Sequence, residues 1–240
     1  LKNKIVKNIK RKSKYIVFDF GKNFYVVLHL GMSGTLHIPF KNKITNLSFY
    51  SKPTLPKKHN HIIIDFKKVK LIYNDPRRFG YFKILNNKRD FDNYFTRIGP
   101  EALDKGYNLI YLKNKIKNRK KNIKNLLLDQ KIVSGIGNIY ANEILYKSQI
   151  LPSKSVKNLS SLDLIKIIKF SRITLNKAIK FGGSSIKDFK GIAGGEGGFQ
   201  TQFAVYNREN QKCNKIKCKG IIKKRYISNR STFICNYCQS

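Results

Sequence analysis

Apolar positions recur with two different periods along the chain. Through roughly the first hundred residues they form short β-branched and aromatic runs. These are YIVFDF (15–20), FYVVLHL (24–30), HIIIDF (61–66), KLIY with its core at 71–73, and FGYFKI (79–84). Turns such as Gly21-Lys22-Asn23 separate them, so the runs read as strands. Short strands at this spacing point to an antiparallel sandwich. Residues 40–58 are polar, carry Pro53 and Pro56, and read as a loop. From about residue 101 the period becomes helical, in NIKNLLLDQ (122–130), NIYANEILYKSQ (138–149) and SSLDLIKIIKFSRITLNKAIKF (160–181). Ser160 or Ser161 is a candidate N-cap, Gly182-Gly183 a candidate stop, and Pro152 closes the middle helix.

GIAGGEGG (191–198) is too glycine-rich to hold a fixed shape alone, and FQTQFAVY (199–206) reads as a strand leading into a cysteine-bearing tail. The order predicts an α+β protein in three parts: a β-sandwich over 1–98, a helical domain over 99–198 and a cysteine hairpin over 199–240. No apolar run approaches the length of a membrane span, and LKNKIVKNIK has no signal-peptide core.

Charge narrows the partners. The formal net charge is +37, from 50 Lys and Arg against 13 Asp and Glu. A Lys-, Asn- and Ile-rich composition of the kind an AT-rich genome produces accounts for roughly half of that excess. The arginines are not spread like the lysines, and several fall in motifs, which favours a polyanionic partner. Two of them, Arg77 and Arg78, sit with Phe79 in YNDPRRFGYF (73–82), a turn between apparent strands started by Asp75-Pro76 and released by Gly80. Folding alone requires neither cation there.

All four cysteines lie in the last 28 residues. Four residues separate Cys213 from Cys218, two separate Cys235 from Cys238, and sixteen lie between the pairs. Zn²⁺ takes four soft ligands in a tetrahedron, and two close pairs on a hairpin supply them. Disulfides are disfavoured without a secretory signal. The intervening IIKKRYISNRSTFI forms two strands that present Arg225 and Arg230. In LLLDQKIVSGIGNIYANEIL (126–145), a helix is followed by a glycine turn and a second helix. Gly135 and Gly137 permit positive φ, Asn138 is a candidate N-cap, and Lys120, Lys121 and Lys124 lie upstream. An ordinary helical hairpin accounts for the turn alone. Beside a basic zinc hairpin, a phosphate at the helix start is the better reading.

HLGMSGTL (29–36), DPRRFG (75–80), IGPEAL (98–103), LLLDQKIVSGIGNIYANEIL, FQTQFAVYNRENQKC (199–213) and RSTFICNYCQ (230–239) occur in one order. Together they resemble the bacterial formamidopyrimidine-DNA glycosylase family over essentially the whole chain. The related endonuclease VIII shares the helix–two-turn–helix and zinc hairpin, but HLGMSG and DPRRFG look like the formamidopyrimidine branch. The resemblance implies excision of oxidised purines such as 8-oxoguanine from duplex DNA, then β,δ-elimination, by a monomeric cytoplasmic enzyme with one structural zinc held by Cys213, Cys218, Cys235 and Cys238. It implies that Met32 fills the vacated stack, Arg77 bonds the orphaned cytosine and Phe79 wedges the neighbouring step. An inserted apolar wedge offsets part of the cost of extrusion. It places His59, Lys120, Lys124, Asn138 and Tyr206 among the DNA contacts. Lys14 matches the lysine of β-elimination, Arg230 the arginine of δ-elimination and phosphate contact, and GIAGGEGG a loop that closes over the flipped base.

The family nucleophile is an N-terminal proline, with a glutamate beside it that handles protons. Leu1 aligns a short way before KRKSKY, so several dozen family residues, these two and the opening strands of the sandwich included, are expected upstream. The lack of an initiator Met favours a chain that continues upstream over a truncated gene. The alternative is a catalytically inactive remnant that binds damaged DNA in a salt-sensitive manner. A zinc-ribbon RNA-binding or ribosomal protein fits the charge but not these motifs in this order.

Overall fold

A computed structural model of the protein describes residues 1–40, 43–46, 56–184 and 198–239. The chain divides into two compact units, Leu1–Thr96 with Phe181–Gln200, and Arg97–Lys180 with Thr201–Ser240. The cysteine hairpin, expected as a third segment, belongs to the second.

The first unit contains two antiparallel sheets. β1 (Asn8–Lys12), β2 (Tyr15–Asp19), β3 (Tyr25–His29) and β8 (Tyr81–Leu85) pair in that order. β5 (Lys43–Asn46), β4 (Thr35–Phe40), β7 (Lys70–Asn74) and β6 (Asn60–Asp65) form the other. Period-two alternation turns Phe18, Val26 and Leu28 of the first sheet onto Leu36, Leu71 and Tyr73 of the second, which makes the expected sandwich. The opposite face of the first sheet carries α1 (Lys88–Thr96), whose Phe91 packs on Tyr25 at 4.3 Å between centroids and whose Phe95 meets Tyr15 edge-on at 5.6 Å. All five strands read from the sequence are present. The loop expected over 40–58 is corrected in part, because β5 lies within it, paired to β4. Its remaining positions 41–42 and 47–55 lie outside the described residues.

The second unit packs α2 (Leu109–Ile116), α3 (Ile123–Leu128), α4 (Asn138–Ser148) and α5 (Ser161–Lys180) around Leu112, Leu126, Ile136, Ile144 and Ile167. The helix starts follow local chemistry. Asn108 and Asn122 cap α2 and α3 by accepting from Tyr111 and Asn125 N–H. Ser160 and Asp163 exchange bonds as a capping box for α5. α5 ends at Gly182 and Gly183, both at positive φ. α4 ends in left-handed Gln149 rather than at Pro152. The strand expected over 199–206 is a 3₁₀ turn at Phe199–Gln202 followed by irregular chain. β9 (Ile222–Ile227) and β10 (Arg230–Cys235) form the expected hairpin. Among the described residues no helix is long and apolar enough to cross a membrane. Of GIAGGEGG, positions 191–197 lie outside the described residues.

Candidate nucleic-acid interface

Within the first unit, strand register gathers one group of candidate residues. Tyr15 pairs with His29 and His29 with Tyr81, while Asn60 pairs with Asn74. The β1–β2 turn with Lys14, the Leu30–Gly34 turn with Met32, His59 before β6, and the Asp75–Gly80 corner therefore share one end of the sandwich. Asp75 builds the corner. Fully buried, it accepts from the Ser33 hydroxyl, from the Tyr73 hydroxyl at 2.9 Å, from Gly80 N–H at 2.8 Å and from Arg77 N–H at 3.3 Å. Its backbone N–H donates to the His59 carbonyl, and its carbonyl accepts from Arg78 N–H and faces His61 Nε2 at 2.9 Å. Burial pushes the Asp75 carboxyl up, but bonds from Ser33, Gly80, Tyr73 and Arg77 outweigh it and hold the group below its ordinary value.

Locking the backbone leaves the tips outside. Met32 is 61% exposed and Phe79 54%, an apolar pair on two turns that meet at Gly31 and Gly80. The Arg77 guanidinium lies 4.6 Å from the Phe79 ring centroid, a cation–π pair on the exposed corner. Two glycines make the corner possible. A Cβ on Gly31, at φ +66°, would lie 2.6 Å from Gly80 N, and one on Gly80 would lie 1.9 Å from the Tyr73 hydroxyl. Lys14 is exposed and lowers the His29 pKa, after burial as the larger cause. Neutral His29 can then accept from Gly31 N–H, at 3.0 Å from its Nδ1, which positions the Met32 turn. His29 escaped the sequence reading because it resembles any strand-end residue.

A separate group of candidate residues lies within the helical unit. Gly135, at φ +90°, donates its N–H to Gln130 Oε1, and Gln130 Nε2 donates to the carbonyls of Leu128 and Ile136, so one side chain braces the whole turn. Gly137 is the N-cap of α4, with an ordinary negative φ and no side chain to satisfy the first-turn N–H groups. This corrects the Asn138 cap. Asn138 is the first helical residue and donates to the Ser231 carbonyl at 3.0 Å. An uncapped N-terminus with a positive dipole end suits a phosphate.

Lys124 is placed differently from a surface phosphate contact. It is fully buried, and its ammonium donates to Ser231 O at 3.0 Å and Thr232 Oγ1 at 2.7 Å. Burial first, then the Arg230 charge, brings its pKa down to about 8. With Asn142, whose Oδ1 accepts from Phe233 N–H at 2.7 Å, Lys124 and Asn138 pin β10 against the helix turn. Arg230 is exposed at the strand start, and Lys120 is exposed upstream. Tyr206 is half-buried, edge-on to Phe233 at 5.0 Å. Its segment is held by Glu143, a fully buried carboxylate that accepts from the N–H groups of Ala204, Val205 and Tyr206 at 3.0 to 3.1 Å. Those bonds explain the missing strand, since three successive N–H groups converge on one carboxylate instead of alternating across a ladder.

The four cysteine sulfurs all lie within 4.8 Å of one another. Cys213 and Cys238 Sγ are 3.9 Å apart, and Cys218 and Cys235 Sγ 3.6 Å. A tetrahedron of roughly 2.3 Å metal–sulfur bonds has edges of about 3.8 Å, so the free thiols fit a tetrahedral metal site. The Tyr146 hydroxyl, 3.0 Å from Cys213 Sγ, ties the cluster to α4.

A locked corner with a cation on an aromatic ring, and a basic helix turn bolted to a four-cysteine hairpin, are the parts of a protein that works on a nucleic-acid duplex. The sequence matches the formamidopyrimidine-DNA glycosylase N-terminal domain over residues 1–82 and the formamidopyrimidine-DNA glycosylase H2TH domain over 98–190. It is 38% identical to the formamidopyrimidine-DNA glycosylase of Wolbachia pipientis wMel over all of this chain and 84% of that protein. It is 40% identical to that of Rickettsia felis, over all of this chain and 82% of that protein. The Lactococcus lactis Fpg in complex with DNA containing an abasic site superimposes with TM-score 0.85 at 30% identity, covering 99% of this chain and 83% of that one. MutM in complex with carbocyclic 8-oxo-G containing DNA gives 0.84 at 31%, covering 99% and 82%. The chain belongs to the formamidopyrimidine-DNA glycosylase family.

Proposed function

We propose that this protein excises oxidised purines, 8-oxoguanine and formamidopyrimidines, from duplex DNA and then cleaves the strand at the abasic site by β,δ-elimination. The observation that carries the reading is the corner anchored by Asp75, which holds Arg77 and Phe79 out beside Met32. Base extrusion costs a few kcal/mol, and a preorganised wedge offsets part of it without first being ordered itself. Met32 fills the vacated stack, Arg77 bonds the orphaned cytosine, and Phe79 wedges the adjacent step. Lys120, His59, Tyr206, the α4 start at Asn138 and Arg230 hold phosphates. Lys124 acts through the strand it pins, since its ammonium is committed to Ser231 and Thr232.

In β-elimination the 3′ phosphate leaves as C2′ loses a proton. A cation beside that phosphate stabilises its departure, the role assigned to Lys14, with Arg230 serving the second elimination. Cys213, Cys218, Cys235 and Cys238 hold one Zn²⁺, which cross-links the hairpin and supplies no chemistry to the DNA. The enzyme acts as a monomer on the chromosome in the cytoplasm.

The complete gene product, incubated with duplex containing 8-oxoguanine opposite cytosine, should release the base and leave phosphates on both sides of a one-nucleotide gap. Borohydride should trap a covalent complex. Cleavage of undamaged duplex at the same rate would refute the reading.

A further inference from the structure

α5 carries apolar side chains on two faces. Leu164, Ile167 and Ile168 lie in the helical core. Leu162, Ile165 and Ile173 do not, and are 69%, 45% and 43% exposed. Positions 162, 165, 169 and 173 follow one another at helical spacing, so Leu162, Ile165 and Ile173 share one stripe with Lys169 between the two isoleucines. Between that stripe and α2 runs a groove of about 450 Å³, lined by Leu109, Ile165, Ile168, Lys169, Arg172 and Ile173. An isoleucine left half in water contributes little to folding, and exposed apolar side chains rimmed by polar ones mark an interaction site.

We infer that this groove docks another protein through a short amphipathic segment whose apolar anchors are flanked by acidic side chains. Charge selects the occupant. Lys169 and Arg172 line the groove, and no acidic side chain does. Among the described residues Arg172 Nη2 donates to two backbone carbonyls, those of Asp104 at 3.3 Å and Tyr107 at 3.0 Å. Among the described residues neither cation is ion-paired to a carboxylate. A second copy of the chain, itself at +37, would set like charge against like. Single-stranded nucleic acid would find cations but no ring on which to stack a base, because the apolar lining is aliphatic. An acidic amphipathic helix satisfies both the isoleucines and the cations, in the helix-in-groove manner. The inference does not depend on the reaction proposed above.

The test uses the full chain labelled at isoleucine methyls. It is titrated with a synthetic peptide carrying leucines at helical spacing and glutamates between them. Saturable binding with methyl shifts at Ile165 and Ile173 is expected. Ile165→Ser with Ile173→Ser should weaken it roughly tenfold, Lys169→Glu should weaken it as well, and duplex DNA affinity should be unchanged in the serine variant. Equal binding of a scrambled peptide, or of one with lysines for glutamates, would overturn the inference. So would absence of binding, or a dimer in sedimentation that the serine variant dissolves.

Discussion

Replacing Asp75 by Asn removes the charge while keeping the size. The carboxylate accepts on both oxygens: Ser33 and Arg77 N–H on Oδ1, Tyr73 hydroxyl and Gly80 N–H on Oδ2. An amide has one acceptor oxygen, so in either orientation its NH₂ group confronts two donors. A hydroxyl on that side can rotate to accept instead, but a backbone N–H cannot. Each bond to a charged acceptor contributes roughly 1.5–3 kcal/mol, so the net loss is about 2–3 kcal/mol after one bond re-forms. The chain has no Trp, so urea unfolding is followed by far-UV circular dichroism. Amide exchange should accelerate at whichever of Arg77 and Gly80 faces the NH₂ group, and affinity for lesion duplex should fall as the wedge loses its fixed position. The sign with pH follows from the depressed carboxyl. The unfolded chain, with its carboxyl near 3.9, binds the proton more readily. The Asp75 contribution is therefore complete above about pH 4 and lost as pH falls through the folded value. The Asn variant should show a flatter acid limb. An unchanged urea midpoint together with unaltered exchange at both Arg77 and Gly80 would refute the reasoning.

Cys235→Ser should release the metal and loosen the hairpin; zinc content equal to wild type by atomic absorption would count against the site. Arg77→Ala should cut discrimination of the base opposite the lesion by roughly 1–3 kcal/mol, read from excision with each opposing base in turn. Lys124→Met should lower stability by about 1–3 kcal/mol by stranding its acceptors, yet leave the salt slope of DNA binding unchanged, because its ammonium is not offered to a phosphate. Wild-type stability should also gain from Lys124 as pH rises from about 8 toward its unfolded value, the buried cation being relieved first. Glu143→Gln should cost roughly 2–3 kcal/mol and speed exchange at Ala204, Val205 and Tyr206; a change confined to other amides would disprove the clamp.

Five of the eight described strands of the sandwich were legible as β-branched and aromatic runs bounded by turns, whereas β4, TLHIPF, and β5, KITN, were not. β1, NIKRK, escaped because all five residues are exposed and nothing alternates. α1 escaped because its few aromatics read equally well as strand or loop. The cysteine cluster and the corner were legible from spacing and from residues misplaced for folding alone. Lys124 was not. A lysine in a lysine-rich chain reads as surface, and its burial depends on a carbonyl more than a hundred residues away. Glu143 was hidden for the same reason, since its partners are backbone N–H groups and leave no side-chain pattern.

Gly31 and Gly80 bring two turns into direct backbone contact, close enough that neither tolerates a Cβ. Met32 and Phe79 therefore cannot be adjusted separately. On the reading proposed above they would enter a duplex as one unit rather than as two separate probes, and the duplex would have to conform to the turns that carry them. Mispaired or weakened steps that open cheaply would yield to that unit, while a well-stacked step resists. Selectivity on this side of the reaction can then arise from how readily the DNA deforms, before any group reads the damaged base.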